Sequence, residues 1–261
     1  MVAAVGCKRS KPAFPADAAG AAAPGHPPSD DSSENRTVRI PDQTRELVVA
    51  VVPDWDATTA TLTHWRRAGA GWVADGTPWP AVIGHAGAAW GLGLHGDGAP
   101  EGRAGPVKQE GDGRSPAGIF AIGPTFGYAA AAPTGAHVSY TPVTPTWRCV
   151  DDPASSHYTG IFDEAGVVKD WTSAEDLRRD DDLYRWVVEI RHNRAAVPEG
   201  GSCIFLHVWS GPRSTTIGCT AMAAPDLERL IAGLDPAARP LFVLLPAAEL
   251  AALAGPWGVP Q

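Results

Sequence analysis

The 261-residue chain has no stretch approaching the roughly 18 consecutive apolar residues of a membrane-spanning helix. It also lacks any cluster of Lys and Arg able to track phosphates. Its net charge of −8 and pI near 5.4 argue further against nucleic acid as a partner. The four cysteines, at positions 7, 149, 203 and 219, lack the paired C-x-x-C spacing of a structural zinc site. Glycines are dense between Gly93 and Gly123, yet the order G-x-G-x-x-G before a helix is missing, which argues against a dinucleotide loop. No internal repeat of fixed period is present.

What is present is a 44% hydrophobic content, ample for one packed core at this length. Residues 8 to about 36 are mostly Ala, Pro, Ser, Asp and Gly, with too few large apolar groups to offset the entropy of ordering the backbone. Residues 1–44 therefore read as an N-terminal segment and tether, and 45–248 as the one domain. Residues 249–261, which carry no strong signal, read as a C-terminal tail. Near the start, Ala4, Val5 and Gly6 stand directly before Cys7, which resembles the lipobox at which bacterial lipoproteins are cleaved and acylated. The apolar part, Val2 to Val5, is shorter than the roughly 7–15 residues of a signal sequence's apolar region, and no basic segment precedes it. Two expectations stand side by side: a lipidated Cys7 behind a start upstream of Met1, or a chance match in an Ala/Gly-rich stretch.

Within the domain, "ELVVAVVPDW", "ATLTHWRR", "GWVAD" and "PAVIGHAG" are β-branched and aromatic runs cut by Gly and Pro, and they predict successive strands with tight turns. A further strand is expected at about Ile119–Ile122, and Tyr184, Trp186, Val188 and Ile190 alternate as one face of another. Thr172 and Ser173 each precede an acid by three residues, Glu175 and Asp176, the capping-box pattern of a short helix running through Arg179. Pro225 followed by Leu227, Leu230, Ile231 and Leu234 predicts an amphipathic helix, and "PLFVLLP" a buried strand. The fold class expected is mainly β, a β-rich α+β domain with a few short helices.

In "CIFLHVW" alternation puts Cys203, Phe205, His207 and Trp209 on one face and Ile204, Leu206 and Val208 on the other. His207 is then the one strongly polar side chain of an apolar strand. An imidazole left without partners in the interior costs on the order of 1–3 kcal/mol, so the plain reading is a core histidine bonded to backbone. Cys219 follows Thr215, Thr216 and Gly218 and stands shortly before a helix, whose positive end and backbone N–H groups would lower a thiol's pKa and supply oxyanion donors. A strand-borne histidine and a loop-borne cysteine joined by a short connection can meet as base and nucleophile. If Cys7 is lipidated in an oxidising compartment, Cys149 and Cys203 remain as a disulfide pair and Cys219 stays free; free buried thiols are the alternative.

His207 followed by Thr216, Ile217, Gly218 and Cys219, together with "SPAGIF" at Ser115–Phe120, resembles the L,D-transpeptidase (YkuD-type) catalytic domains that remodel bacterial peptidoglycan. "KQEGDGRSPAGIF", "CVDDP", "DLYRW" and "GSCIFLHVW" extend the resemblance over nearly all of residues 47–247. It implies a β-sandwich of mixed sheets with an active-site loop carrying the cysteine. It also implies Cys219 as nucleophile, His207 as general base, the Val208 carbonyl as the group orienting the imidazole, and an oxyanion hole around Gly218 and Cys219 beside Thr216. The implied substrate is a peptidoglycan tetrapeptide stem, which would acylate Cys219 as a thioester, release D-alanine, and be resolved by an amine or by water. No cofactor and no metal are implied. The setting implied is the cell envelope, periplasmic or extracytoplasmic, with a monomer lipid-anchored if Cys7 is modified.

Two positions depart from the family's pattern: Ile217 stands where most members have histidine, and Ala221 where they have arginine. Lys108, Arg114 and Arg213 are candidates to replace the lost contacts, and Asn193, beside His192 at a strand end, is a candidate to line the cleft; a surface turn is an equal reading for that pair. Asp151 and Asp152 are adjacent and point to opposite faces, which favours solvated turn residues over paired carboxylates. Gly113, Pro116 and Gly118 read as turn and strand-entry residues. Two further readings are a non-catalytic peptidoglycan-binding protein, motivated by Ile217 and Ala221, and a zinc hydrolase using His207 with His85 or His95, which lacks recognisable ligand spacing.

Overall fold

The computed structural model describes residues 38–261, so Cys7 and nearly all of the 1–44 segment lie outside the described residues. The four apolar runs form β1 (Glu46–Val52), β2 (Thr59–Ala68), β3 (Gly71–Ala74) and β4 (Trp79–Val82). The glycine-rich middle holds β5 (Ala88–Trp90), β6 (Leu92–Gly93) and β7 (Gly96–Asp97) before the long β8 (Ser115–Gly127). Four short strands follow, β9 (Tyr140–Pro142), β10 (Trp147–Cys149), β11 (Ile161–Asp163) and β12 (Glu175–Asp176). The chain then makes β13 (Trp186–Ile190), β14 (Phe205–Val208) and β15 (Thr220–Met222). Helix α1 (Ala224–Gly233), β16 (Leu241–Pro246) and helix α2 (Ala247–Trp257) complete it.

The large sheet closes on itself in the order β1, β16, β8, β13, β14, β15, β4, β2, and the β1–β2 pairing makes it a barrel. β2 allows the closure because it is long: Thr61–Arg66 pair with β1 along one edge, while Thr59–Leu62 and Trp65–Ala68 take β4 and β3 on the other. A mainly β domain with few helices is therefore present, and its principal sheet is a closed barrel. β10, β11 and β12 form a separate three-stranded sheet.

β1 and β16 pair in parallel at the centre and read as continuous apolar runs rather than alternating ones, because α2 covers their outer face. α1 packs on β13 and β14 through Leu227, Leu230 and Ile231, the stripe its spacing predicts.

Two elements differ from the sequence reading. No helix forms at Thr172–Arg179: Asp152 Oδ2 accepts both the amide and the hydroxyl of Thr172, at 2.7 and 2.8 Å, and Glu175 and Asp176 pair with β10 instead. The intended cap is bound to another loop. Residues 249–261 are not a tail, since α2 buries Leu250, Leu253, Ala254 and Trp257, and the Ile40 amide donates to the Trp257 carbonyl at 2.7 Å. "AAELAALAGPW" is rich in strong helix formers but apolar nearly all round, so its periodicity is faint.

Candidate active site

β14 carries Leu206 and Val208 into the main core, whereas Phe205 joins a second apolar cluster with Val187, Tyr184 and Cys219. His207 pairs with Val187 of β13 and with Ala221 of β15. The connection from β14 to β15 is fastened at Thr216: its amide donates to the Ile83 carbonyl at 3.0 Å, and its own carbonyl accepts the His85 amide at 2.9 Å. Thr216 Oγ1 donates to the Cys219 carbonyl at 2.7 Å and accepts the Gly218 amide at 3.1 Å. That amide is therefore engaged inside the loop, which removes it from an oxyanion hole as the loop now stands. Gly218 has a φ of +156°, which side chains rarely adopt, and a Cβ there would also sit 3.2 Å from the Arg114 carbonyl, so a larger residue is strained in this turn.

The His207 Nδ1 lies 2.8 Å from the Val208 carbonyl, an acceptor, which assigns the proton to Nδ1 and leaves the Nε2 lone pair free. Burial holds the imidazole neutral, with its pKa lowered to about 4. Cys219 is a free, buried thiol; the Phe205 amide donates to its sulfur at 3.3 Å, and the sulfur lies 3.5 Å from the Cys203 carbonyl. Burial pushes the thiol well up, opposite to the sequence expectation. Burial is the larger cause and the Glu175 charge the second; along the chain β15 intervenes between Cys219 and α1.

Among the described residues no hydrogen bond joins His207 to Cys219. Tyr184 stands with both: its ring meets the imidazole edge-on at 5.0 Å between centroids, and it packs with Cys219 in the second apolar cluster. The Tyr184 hydroxyl bonds Glu175, whose carboxyl burial pushes up to about 7 against the opposing pull of Arg179. The Arg179 guanidinium lies 5.1 Å from the Tyr184 ring centre and pairs with Asp181 at 2.9 Å. His207, Cys219, Tyr184, Glu175 and Arg179 line one cleft of about 360 Å³.

The other candidates divide. Lys108 lines the cleft, but its Nζ is buried and held by Asp112 at 2.5 Å and by the Gln109 carbonyl at 2.6 Å. Arg114 is not brought to the cleft: its guanidinium donates to the Trp55 and Ala88 carbonyls at 3.0 and 2.9 Å and pairs with Asp56. Arg213 is exposed on the turn after β14 and lies outside the lining. Asn193 clasps its own loop, donating to the Val197 and Gly201 carbonyls at 2.9 and 3.0 Å, and also lies outside. Asp151 faces the cleft, whereas Asp152 turns away to bond Thr172 and Ala154. His95 is packed among Trp90, Phe120 and Trp257, and His85 sits against Thr216, so neither converges with His207. Among the described residues no three His, Cys, Asp or Glu side chains group to hold a metal ion.

Cys149 and Cys203 form a disulfide that ties β10 to the segment entering β14. Ile217 is 77% exposed at the cleft mouth, and Ala221 is 1% exposed within the β14–β15–β4 ladder. An arginine at residue 221 would displace core. Sequence reasoning missed Tyr184, Glu175 and Arg179 as site residues, and Ser115 as the support of Cys219. The only signal at Glu175 was its place in the apparent capping box. No family model matches the chain, and no curated protein or solved structure matches it.

Proposed function

We propose that the protein is a cysteine acyltransferase of the L,D-transpeptidase type, acting on tetrapeptide stems of peptidoglycan in the cell envelope, with the barrel as its closed form of the family's mixed-sheet sandwich. The observation that carries this reading is the shared cleft, with a free Cys219 thiol and a neutral His207 whose Nε2 is left as a base by the Nδ1–Val208 contact. Substrate entering the cleft displaces water and brings the groups into reaction, since catalytic contacts are often open at rest. His207 Nε2 takes the thiol proton as the sulfur attacks the carbonyl on the L-centre of the stem's third residue. The proton then passes to the departing D-alanine amine, and a thioester remains on Cys219. An acceptor amine, or water, attacks the thioester and gives its proton to His207; the C–S bond breaks, the cross-linked or trimmed stem departs, and the Cys219 thiolate takes the proton back from His207. No cofactor enters these steps.

Dominant L,D-carboxypeptidase action is the same chemistry with water as acceptor. Peptidoglycan binding without turnover is favoured by one observation, that thiol and imidazole rest neutral with no hydrogen bond between them among the described residues. Intact mass after incubation with a defined disaccharide-tetrapeptide separates these readings. Acylation gives an adduct that has lost D-alanine and is absent in Cys219→Ala; an unmodified chain that retains the stem is a binder. D-alanine release by Cys219→Ala would sink the acyltransferase reading.

A further inference from the structure

We propose that the backbone N–H of Phe205 is the group that holds the Cys219 thiolate, so that β14 itself supplies a catalytic donor at the reacting sulfur. This rests on the reading of Cys219 as nucleophile. Along β14 the backbone groups alternate between its two neighbours. The Ile204 carbonyl accepts the Ile190 amide at 2.9 Å and the Val208 amide donates to the Leu183 carbonyl at 3.0 Å, so the even-numbered residues turn to the β13 side. The Trp209 amide donates to the Met222 carbonyl at 2.9 Å, so the odd-numbered residues turn to the β15 side. Carried back along that edge, the same ladder would give the Phe205 N–H the carbonyl of residue 218, but β15 begins only at Thr220. The Cys219 sulfur takes that place, 3.3 Å from the Phe205 nitrogen.

The Cys203 carbonyl, next along the same edge, lies 3.5 Å from the sulfur. The Cys219 side chain thus stands in for a length of strand: its sulfur accepts an N–H, and its S–H donates to a carbonyl. Ionisation separates the two contacts. The Cys203 carbonyl only accepts, so it suits the thiol and offers the thiolate nothing but a lone pair. The Phe205 N–H only donates, and its bond becomes charge-assisted once the sulfur is negative. That contact favours the thiolate against burial and the Glu175 charge, with Lys108 acting in the same sense. When His207 Nε2 takes the thiol proton, the Cys203 carbonyl loses its donor, Phe205 keeps its own proton, and the charge stays on the sulfur beside that N–H. The donor is fixed before the charge appears: the buried Phe205 ring meets Tyr184 edge-on at 5.8 Å between centroids, and Leu206 pairs with Val188 on the strand's other edge.

The test deletes that N–H and keeps the side chain: phenyllactic acid incorporated at residue 205 of the full chain puts an ester in place of the amide. The readout is the second-order rate of iodoacetamide alkylation at Cys219, followed by peptide mass at about pH 8, since the thiolate is the reacting form. The residue-205 ester is expected to react about tenfold more slowly than the parent, equivalent to a thiol pKa higher by about one unit. Leucic acid at residue 206 disturbs the pairing with β13 but no contact of the sulfur, and is expected to change the rate by less than about twofold. An unchanged rate in the residue-205 ester overturns the proposal. Equal slowing by both esters assigns the N–H a structural role and overturns it too. If the residue-205 ester does not fold, proton–nitrogen spectra of the parent and of Cys219→Ala, labelled at the six phenylalanine amides, decide. The Phe205 amide proton, assigned by its loss in Phe205→Leu, is expected to move upfield in Cys219→Ala by more than the other five; an unmoved resonance overturns the proposal. Neither measurement needs a stem peptide, so a chain that behaves as expected but never forms an acyl adduct defeats the transpeptidase reading alone.

Discussion

Ser115 Oγ donates to the Cys219 carbonyl at 2.8 Å and accepts the Gly84 amide at 3.0 Å, so one hydroxyl at the start of β8 ties the Cys219 backbone to the turn after β4. Ser115→Ala leaves the Gly84 N–H buried without its partner, a cost of about 1–3 kcal/mol. The Cys219 carbonyl keeps the Thr216 hydroxyl. Removing both hydroxyls bares the carbonyl as well, so the double variant is expected to lose more than the two single losses added together. Urea midpoints of the single and double variants check this, and simple additivity would show that the two hydroxyls act apart.

That tie shows where sequence reasoning reaches its limit. "SPAGIF" announces a strand entry, and the alternation in "CIFLHVW" correctly separates Phe205 from Leu206 and Val208. Such period-two signals are local, and the strands they mark are in the barrel. Closure of the barrel depends on which edges β2 meets, and no local pattern records that. Tyr184 illustrates the same limit at the site. Its spacing groups it with Trp186, yet β13 begins only at Trp186, and Tyr184 turns to the opposite cluster beside Cys219. Glu175 reaches that hydroxyl because Asp152 captures Thr172, a contact across 20 residues of sequence.

The Cys149–Cys203 disulfide spans a sequence separation of 54 and delivers the Cys203 carbonyl to within 3.5 Å of the Cys219 sulfur. The chain-entropy argument for a loop of that length gives about 4 kcal/mol of stabilisation. Cys149→Ser with Cys203→Ser is expected to lower the unfolding free energy by roughly that amount. Denaturant titration of the variant against the oxidised parent measures it, and a loss under about 1 kcal/mol would mean the unfolded loop is already restrained.

Ile217 and Ala221 are expected to respond oppositely to substitution. Ile217→Ser changes an exposed side chain and should alter stability by less than about 0.5 kcal/mol. If the stem peptide covers the cleft mouth, the same change should raise KM up to about tenfold through lost apolar contact, with kcat nearly constant. Ala221→Arg forces a charge into the ladder between His207 and Val82 and should unfold the site, with a drop in Tm large enough to see by calorimetry. A soluble, fully active Ala221→Arg protein would contradict the packing described for β15.

His192 gives the clearest pH dependence. It is buried, neither ring nitrogen has a hydrogen-bond partner among the described residues, and its pKa is lowered to about 3, chiefly by burial and then by the Lys108 charge. The unfolded imidazole titrates near about 6.5, so between there and about 3 the unfolded chain binds a proton that the fold refuses. Stability is therefore complete above the unfolded value and is lost as pH falls toward the folded one. At pH 5 the share lost to this residue is about 2 kcal/mol. His192→Leu removes the proton site, so the fall in unfolding free energy from pH 7 to pH 5 should shrink by about that amount. His95 and His207, both lowered to about 4 by burial, act with the same sign and keep the remaining acid sensitivity. Urea titrations of the parent and the variant at the two pH values decide the matter, and an unchanged fall would mean that His192 is already charged inside the fold at pH 5.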